Sequence, residues 1–479
     1  MNNEVRVRFA PSPTGYLHLG SLRTALFNYL FAKHHGGKFI LRIEDTDQSR
    51  KVEGAVENLI NILNEMGLNY DEGPGVGGDF GPYYQSERLD IYKKYCDELL
   101  VNGHAYYAFE TAEELDEMRK VQQIQGKQTM YDRRARVLSE NEYNEKIAAG
   151  LPYVIRLRVP LDSEIKFNDL IRGNVRIDTN LIDDQVLLKS DGFPTYHLAN
   201  VIDDHLMEIT HIIRGEEWLT SVPKHIILYN AFGWEVPQMA HVPLILNPDK
   251  SKLSKRQGDV ATEDYLKKGY LKEALINFMA LLGWNPGEGE EKEIFSLKEL
   301  EEKFTIERVN SAGAVFNVEK LNWMNGEYIK HTEPGKLTEL VIPYLNAGGI
   351  DTSDIEKTKR VVIAIRNYLN KLDESVEQSK VYYSEVKLND VHLEIVKSES
   401  SKQVFELLGK KVEAMTEITA DNFKTVVSEV QKETGVKGKN LFMPVRLALT
   451  GEEHGPELGM IAYVLGRVEV IKRLKDALD

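Results

Sequence analysis

Apolar positions Val5, Val7 and Phe9 alternate with Arg6 and Arg8, the two-residue period of a strand in a sheet. A Pro/Gly-rich loop follows from Pro11 to Gly20. Beyond it Leu22, Ala25, Leu26, Tyr29 and Leu30 recur at helical spacing, with Ser21 placed to cap the helix. A second strand, Phe39 to Ile43, ends at Glu44-Asp45-Thr46-Asp47. An amphipathic helix then carries Val56, Leu59, Ile60, Leu63 and Met66. Strand, helix, strand, helix in that order predicts a parallel, doubly wound unit with right-handed crossovers.

The pattern breaks at Asp71–Gly78, where glycines and a proline permit only a loop. From about Ala105 to Leu187 its character changes: a capping box, Thr111 with Glu114, precedes alternating strands at Val154–Val159 and Val175–Ile177. This segment reads as an insertion with its own small α+β fold. Parallel-sheet character returns at Val186-Leu187-Leu188. A helix near Tyr196–Leu206 follows, then a strand from Glu208 to Ile213 that ends at Arg214. The next helix includes Ile226, Ile227 and Tyr229, and Val242–Leu246 reads as the last core strand. From Leu266 onward the periodicity is helical. The fold class is therefore α/β: a doubly wound parallel sheet with an inserted α+β segment, followed by mostly α-helical C-terminal domains.

A length of 479 residues exceeds one ordinary core, and 42% apolar with 28% charged residues is a globular balance. The start, Met1-Asn2-Asn3-Glu4, has no signal-peptide character and no apolar run reaches bilayer length. No membrane is expected, and the cytoplasm is the expected compartment. Cys96 is the only cysteine, which excludes an intrachain disulfide and a cysteine-rich zinc site. It shares a helical face with Tyr92, Leu99 and Leu100, the placement of a packing residue. A net charge of −15 lacks the basic footprint of a nucleic-acid binder, but phosphate contacts are local and a basic groove can sit on an acidic body. Charge alone leaves RNA binding open.

Ligands of open parallel sheets bind beyond the carboxyl ends of the strands. Arg8, Glu44 and Arg214 fall at such ends. Taken singly, each reads first as a surface or salt-bridge group. Together, two guanidiniums and one carboxylate complement an amino acid with two carboxylates and one ammonium, which fits glutamate and equally aspartate. The loop Pro11–Gly20 runs from strand to helix, a junction that aims backbone N–H groups at an anion. Within it His18 can donate to a phosphate oxygen and Gly20 lets a ligand approach the backbone. It matches neither the dinucleotide fingerprint nor a Walker loop. Lys250, Lys252, Lys255 and Arg256 cluster after the last core strand, where a basic loop can neutralise a triphosphate.

These two loops resemble a known pair. His18-Leu19-Gly20-Ser21 and Lys252-Leu253-Ser254-Lys255-Arg256 are similar to the "HIGH" and "KMSKS" signatures of class I aminoacyl-tRNA synthetases, in order and about one catalytic domain apart. Longer stretches resemble the glutamyl/glutaminyl branch: Arg8–Gly15, Arg42–Asp47, Tyr196–Asn200 with Val201–His205, Arg214–Trp218 and Leu321–Asn325. Arg214 suits a substrate carboxylate better than an amide. With the helical C-terminal third, it favours the bacterial-type glutamyl family. The resemblance covers essentially the whole chain.

That resemblance implies a Rossmann-like catalytic domain in two halves, 1–104 and 188–250, around an acceptor-stem insertion at 105–187. A stem-contact region with the basic loop follows at 251–330, and a helical anticodon-binding region at 331–479. It implies ATP-dependent activation of L-glutamate and transfer to tRNA(Glu), with Mg2+ accompanying ATP, in a monomer. By position, Arg8, Ser12, Glu44, Tyr196, Asn200 and Arg214 hold the amino acid, with Glu44 suited to the α-ammonium. His18, Gly20, Glu217, Leu244, Lys252 and Lys255 belong to the ATP side, His18 and Lys255 as the catalytic pair. One departure stands out. Many bacterial members carry a zinc set of cysteines and a histidine in the insertion, where this chain has Tyr106–Phe109 and Asp132–Arg136, so no zinc is expected. Trp323 and Tyr328 read as core rather than as an RNA-stacking pair.

Overall fold

The computed structural model describes residues 4–50, 52–253 and 261–478. They form two compact units. One extends to Asp264 and includes Ile276–Asn317, and the other joins Tyr265–Leu275 to the residues from Val318 onward.

The strands of the first unit are, in chain order, β1 (Arg6–Phe9), β2 (Lys38–Leu41), β3 (Ala105–Ala108), β4 (Val154–Leu157), β5 (Glu164–Asp169) and β6 (Gly173–Asp178). They continue with β7 (Val186–Leu188), β8 (His211–Gly215), β9 (Gln238–Val242), β10 (Ile245–Leu246) and β11 (Ala314–Val315). The central sheet has the order β2-β1-β8-β9-β5-β6. Its pairings are parallel except for β5 with β6. Helices Leu19–His34 and Val222–Phe232 connect β1 to β2 and β8 to β9. Leu22, Ala25, Leu26 and Leu30 of the first are fully buried. Each such leucine contributes roughly 1.5–3 kcal/mol by leaving water.

Several boundaries differ from those read in the sequence, each for a physical reason. Arg6 and Arg8 of β1 are as buried as Val7 and Phe9, because the strand is covered on both faces and ion pairs take the place of solvent. The first long helix begins at Leu19 with His18 at its N-cap, so Ser21 lies inside it and caps nothing. Tertiary bonds fix that start: the Thr262 N–H and hydroxyl both donate to the Leu17 carbonyl, at 2.9 and 3.0 Å. Val186–Leu188 belongs to a three-stranded antiparallel sheet, β3-β4-β7, not to the central sheet. Conversely, the β5–β6 hairpin of the segment 105–187 is part of the central sheet through Asp169 and Met239. The last core strand is Gln238–Val242. Pro243 has no N–H to continue the ladder, and Ile245–Leu246 pairs instead with β11.

The segment that carries β3 and β4 also holds capping boxes at Thr111/Glu114 and Ser139/Glu142. Its interior is organised by Asp184, which accepts from Tyr106, Arg133 and Arg136. Arg156 lies 3.8 Å over the Tyr131 ring beside it. Cys96 is fully buried, as its helical face predicts.

The second unit is helical, with Phe405, Phe423, Leu441, Val445 and Ile461 in its core. Its last helix, Leu458–Asp476, breaks at Gly466, whose φ of 72° and ψ of 167° suit only glycine. Asn325, the end of the Leu321–Asn325 match, is a buried clasp that accepts from the Leu271 N–H (2.8 Å) and donates to the Asn370 carbonyl (2.6 Å). Tyr328 packs against the core, but Trp323 is 44% exposed and is not a core residue.

Candidate active site

A cavity of about 1000 Å³ opens beyond the carboxyl ends of β1, β2, β8 and β9. Arg8, Ser12, His18, Gly20, Glu44, Tyr196, Asn200, Arg214, Glu217, Leu244 and Lys252 all line it. Residues separated by more than 200 positions thus share one wall. Lys255 and Arg256 lie outside the described residues.

One end of the cavity is a buried lattice of charge. Arg8 Nε donates to Asp204 Oδ1 at 2.9 Å, and Arg42 Nη1 donates to the same oxygen at 2.7 Å. Arg42 Nη2 donates to Glu44 Oε1 at 3.0 Å. Asp203 behind them accepts from Arg88, Gln85 and Tyr92. Asn200 completes the set. With its amide turned so that the oxygen accepts from Arg8 Nη2 and Arg42 Nη2 (3.3 and 3.1 Å), its nitrogen donates to Asp204 Oδ2 at 3.3 Å. The opposite orientation retains only a 3.3 Å bond to Glu44, so the first satisfies more groups. Burial pushes the Asp204 carboxyl up, but Arg8 and Arg42 outweigh it and hold it below the usual carboxylate range. At Glu44 burial wins over Arg42 and Arg8, and its affinity for a proton rises. A carboxyl in that state gains from an arriving cation.

Arg214 sits differently. Its Nη1 donates to the Tyr196 hydroxyl at 2.8 Å and approaches His225 Nδ1 at 3.4 Å. Its Nε donates to His241 Nε2 at 3.1 Å, and its Nη2 to the Trp218 carbonyl at 3.4 Å. Arg214 and His241 are register partners on adjacent parallel strands, which places their side chains on one face. His241 Nδ1 lies 2.6 Å from Asp169 Oδ2. Since Arg214 points an N–H at Nε2, that nitrogen carries no proton and the imidazole is neutral. Burial lowers its proton affinity in the same direction, more than Asp169 raises it. His225 is held neutral by burial and by the Arg214 charge.

Another part of the lining is backbone. The N-terminus of helix Leu19–His34 has no side-chain cap, and Gly20, Ser21 and Thr24 line the cavity there. Nothing stands within 4 Å of where a Gly20 side chain would project, so a ligand can reach the backbone N–H groups. The Leu244 N–H donates to Glu216 Oε1 at 2.7 Å, which leaves Leu244 its side chain for a ligand. Glu216 also pairs with Arg172. Arg23, buried beneath this wall, donates to the carbonyls of Leu282 and Pro243. Burial lowers its affinity for the proton to about 10. Among the described residues, no three His, Cys, Asp or Glu side chains gather as a metal-ligand set.

Sequence reasoning placed the lining residues but assigned no role to Arg42, Asp203 and Asp204, although all three lie in the matched stretches. Their signal was available: Arg42 directly follows the apolar Phe39-Ile-Leu41, and Asp203-Asp204 directly follow Val201-Ile202. Asp169, His225 and His241 were missed altogether. His241 gave a faint hint as the one basic residue of Met239-Ala-His-Val242.

Comparisons with known proteins agree with this geometry. The family described as "tRNA synthetases class I (E and Q), catalytic domain" matches residues 4–323, and "Anticodon binding domain" matches 336–478. A glutamate–tRNA ligase of Clostridioides difficile is 48% identical over 486 residues, covering 98% of each chain. That of Chlorobaculum parvum is 50% identical over 494 residues, covering 99% of this chain and 98% of the relative. A crystal structure of a glutamate tRNA ligase from Elizabethkingia meningosepticum, in complex with its amino acid, superposes with a TM-score of 0.92 at 39% identity over 99% of both chains. Matched over nearly its whole length in sequence and in structure, the chain belongs to the glutamate–tRNA ligases, class I aminoacyl-tRNA synthetases of the glutamyl/glutaminyl branch.

Proposed function

We propose that this protein activates L-glutamate with ATP as glutamyl-adenylate and transfers the glutamyl group to the 3′-terminal adenosine of tRNA(Glu). The observation that carries this reading is the meeting of Arg8, Glu44 and Arg214 in one cavity with the Leu19–His34 helix terminus. Glu44, whose proton affinity is raised by burial, takes the α-ammonium. Arg8 and Asn200 flank the α-carboxylate, and Arg214 with Tyr196 receives the side-chain carboxylate. Arg214 is assigned that role because its neighbours are neutral, whereas Arg8 is already paired with Asp204.

The α-carboxylate attacks the α-phosphorus of ATP, forming the mixed anhydride and releasing pyrophosphate. A ribose hydroxyl of the tRNA terminus, the 2′-hydroxyl by family resemblance, then attacks the carbonyl and AMP leaves. Positioning and charge neutralisation supply the catalysis, with no protein nucleophile. His18 and the helix terminus face the phosphates, Glu217, Leu244 and Lys252 complete the ATP side, and Lys255 of the basic loop acts with His18. Magnesium enters as part of the ATP substrate, held by phosphate oxygens. The segment 105–187 takes the acceptor end of tRNA, residues 251–330 its stem, and residues 331–479 the anticodon. By the same family resemblance the enzyme acts as a monomer in the cytoplasm; no described helix is long and apolar enough to cross a membrane.

The test is tRNA charging with radiolabelled glutamate, glutamine or aspartate, with and without tRNA(Glu). Glutamate alone should be esterified, and only with tRNA present. Preferential charging of aspartate, or adenylation of a small acid without any RNA transfer, would refute the reading.

A further inference from the structure

Arg214 has five N–H groups. Four have acceptors: His241 Nε2, the Tyr196 oxygen, His225 Nδ1 and the Trp218 carbonyl. One N–H remains, together with the Tyr196 hydroxyl hydrogen, for a ligand in the cavity that both residues line. Two donors suit the two oxygens of a carboxylate. An amide placed there turns N–H groups against one of them. This selectivity survives only while the guanidinium is held in its orientation, and His241, the acceptor of its Nε, is one of the groups that hold it.

Asp169 decides what His241 can do. Its Oδ1 accepts from the backbone N–H groups of Ile171 (3.0 Å), Arg172 (2.9 Å) and His241 (3.3 Å). Its Oδ2 is left to accept from His241 Nδ1. That bond places the imidazole proton on Nδ1 and leaves Nε2 as a pure acceptor for Arg214. The reverse tautomer sets N–H against N–H. Asp169 and His241 are 1% and 0% exposed, so no water substitutes for either contact.

We propose that Asp169 and His241 are positioning residues for recognition of the substrate side-chain carboxylate, with Asp169 selecting the His241 tautomer that orients Arg214. The inference rests on the assignment of Arg214 to that carboxylate. It also gives the root of the β5–β6 hairpin a place in amino-acid specificity.

The incisive variant is Asp169→Asn. Its amide oxygen keeps the three backbone N–H groups, and its NH2 faces Nδ1, which drives the proton to Nε2 and against Arg214. The full chain is assayed by steady-state charging of tRNA(Glu), with KM for glutamate and for ATP measured separately. Asp169→Asn should raise the glutamate KM about ten-fold or more, leave the ATP KM within about two-fold, and increase charging with glutamine relative to glutamate. His241→Gln, whose amide oxygen can still accept from Arg214, should stay close to the parent, while His241→Phe should behave like Asp169→Asn. An unchanged glutamate KM in Asp169→Asn, or equal rises in both KM values, overturns the proposal. If Asp169→Asn does not fold, the contrast between His241→Gln and His241→Phe decides alone, and equal behaviour of the two overturns it. Arg214→Gln is the control for the underlying assignment: an unchanged glutamate KM there defeats the assignment itself, whatever Asp169 does.

Discussion

Arg8 and Arg214 line the same cavity and are almost equally buried, yet their surroundings are opposite. Arg8 belongs to a lattice in which Arg42 and Arg88 balance Glu44, Asp203 and Asp204. Arg214 touches a phenol, two neutral imidazoles and a carbonyl, and the nearest carboxylate in its chain of bonds, Asp169, lies one histidine away. The first arginine is neutralised by the fold. The second keeps its charge for a ligand: a carboxylate about 4 Å away gains roughly 4 kcal/mol at an effective dielectric of 20. The cavity thus joins a region whose charges balance one another to a guanidinium that, among the described residues, has no carboxylate partner.

Cutting the lattice is the harshest way to test that contrast. Asp204→Leu strands Arg8 and Arg42 in the interior, and should cost about 3–5 kcal/mol of stability, read as a lower urea midpoint. Arg214→Gln should do the reverse: stability stays within about 1 kcal/mol of the parent, while kcat/KM for glutamate falls by about 10² or more, close to 3 kcal/mol in transition-state terms. A large loss of stability in Arg214→Gln would erase the distinction.

A third effect follows from the neutral histidines on the Arg214 side. Burial pushes His197 down to about 3 and His225 well below its ordinary value. Above pH 6.5 neither costs anything. As the pH falls through 6.5 the unfolded chain takes up protons that the folded chain refuses, so stability is lost down to about pH 3 for His197. Each suppressed histidine removes up to about 1.4 kcal/mol per pH unit. Urea titrations at pH 7.5 and 5.5 should show this, and His197→Gln should lose less on acidification.

The smallest effect belongs to Cys96, buried in the helix Leu89–Val101. Burial pushes its thiol up to about 12. At pH 8 the folded protein should not react with a thiol reagent, and labelling should report global unfolding alone. Asp204→Leu should accelerate labelling and Arg214→Gln should not, which separates damage to the fold from damage to the site.

The lattice and the receptor were not equally legible in the sequence. Arg8, Glu44 and Arg214 could be placed because the helical and strand periods locate strand ends, and strand ends locate ligands. The alternation through Val5–Phe9 did not say that Arg6 and Arg8 are buried, since a two-residue period cannot tell solvent from an ion pair. Asp169 and His241 were out of reach: 72 positions separate them, and their bond exists because a hairpin from the 105–187 segment enters the central sheet. The edge at Val186–Leu188 was misplaced for the same cause, as strand partners of an interrupted sheet leave no local mark.

That hairpin also governs how the protein can be pared down. Deleting 105–187 as a block removes β5, the described neighbour of β9 on its far side, and leaves the Met239 carbonyl and the His241 N–H on an open edge, ready to pair with another chain. A shortened version that stays soluble has to keep Glu164–Asp178 in place and close the chain on either side of it.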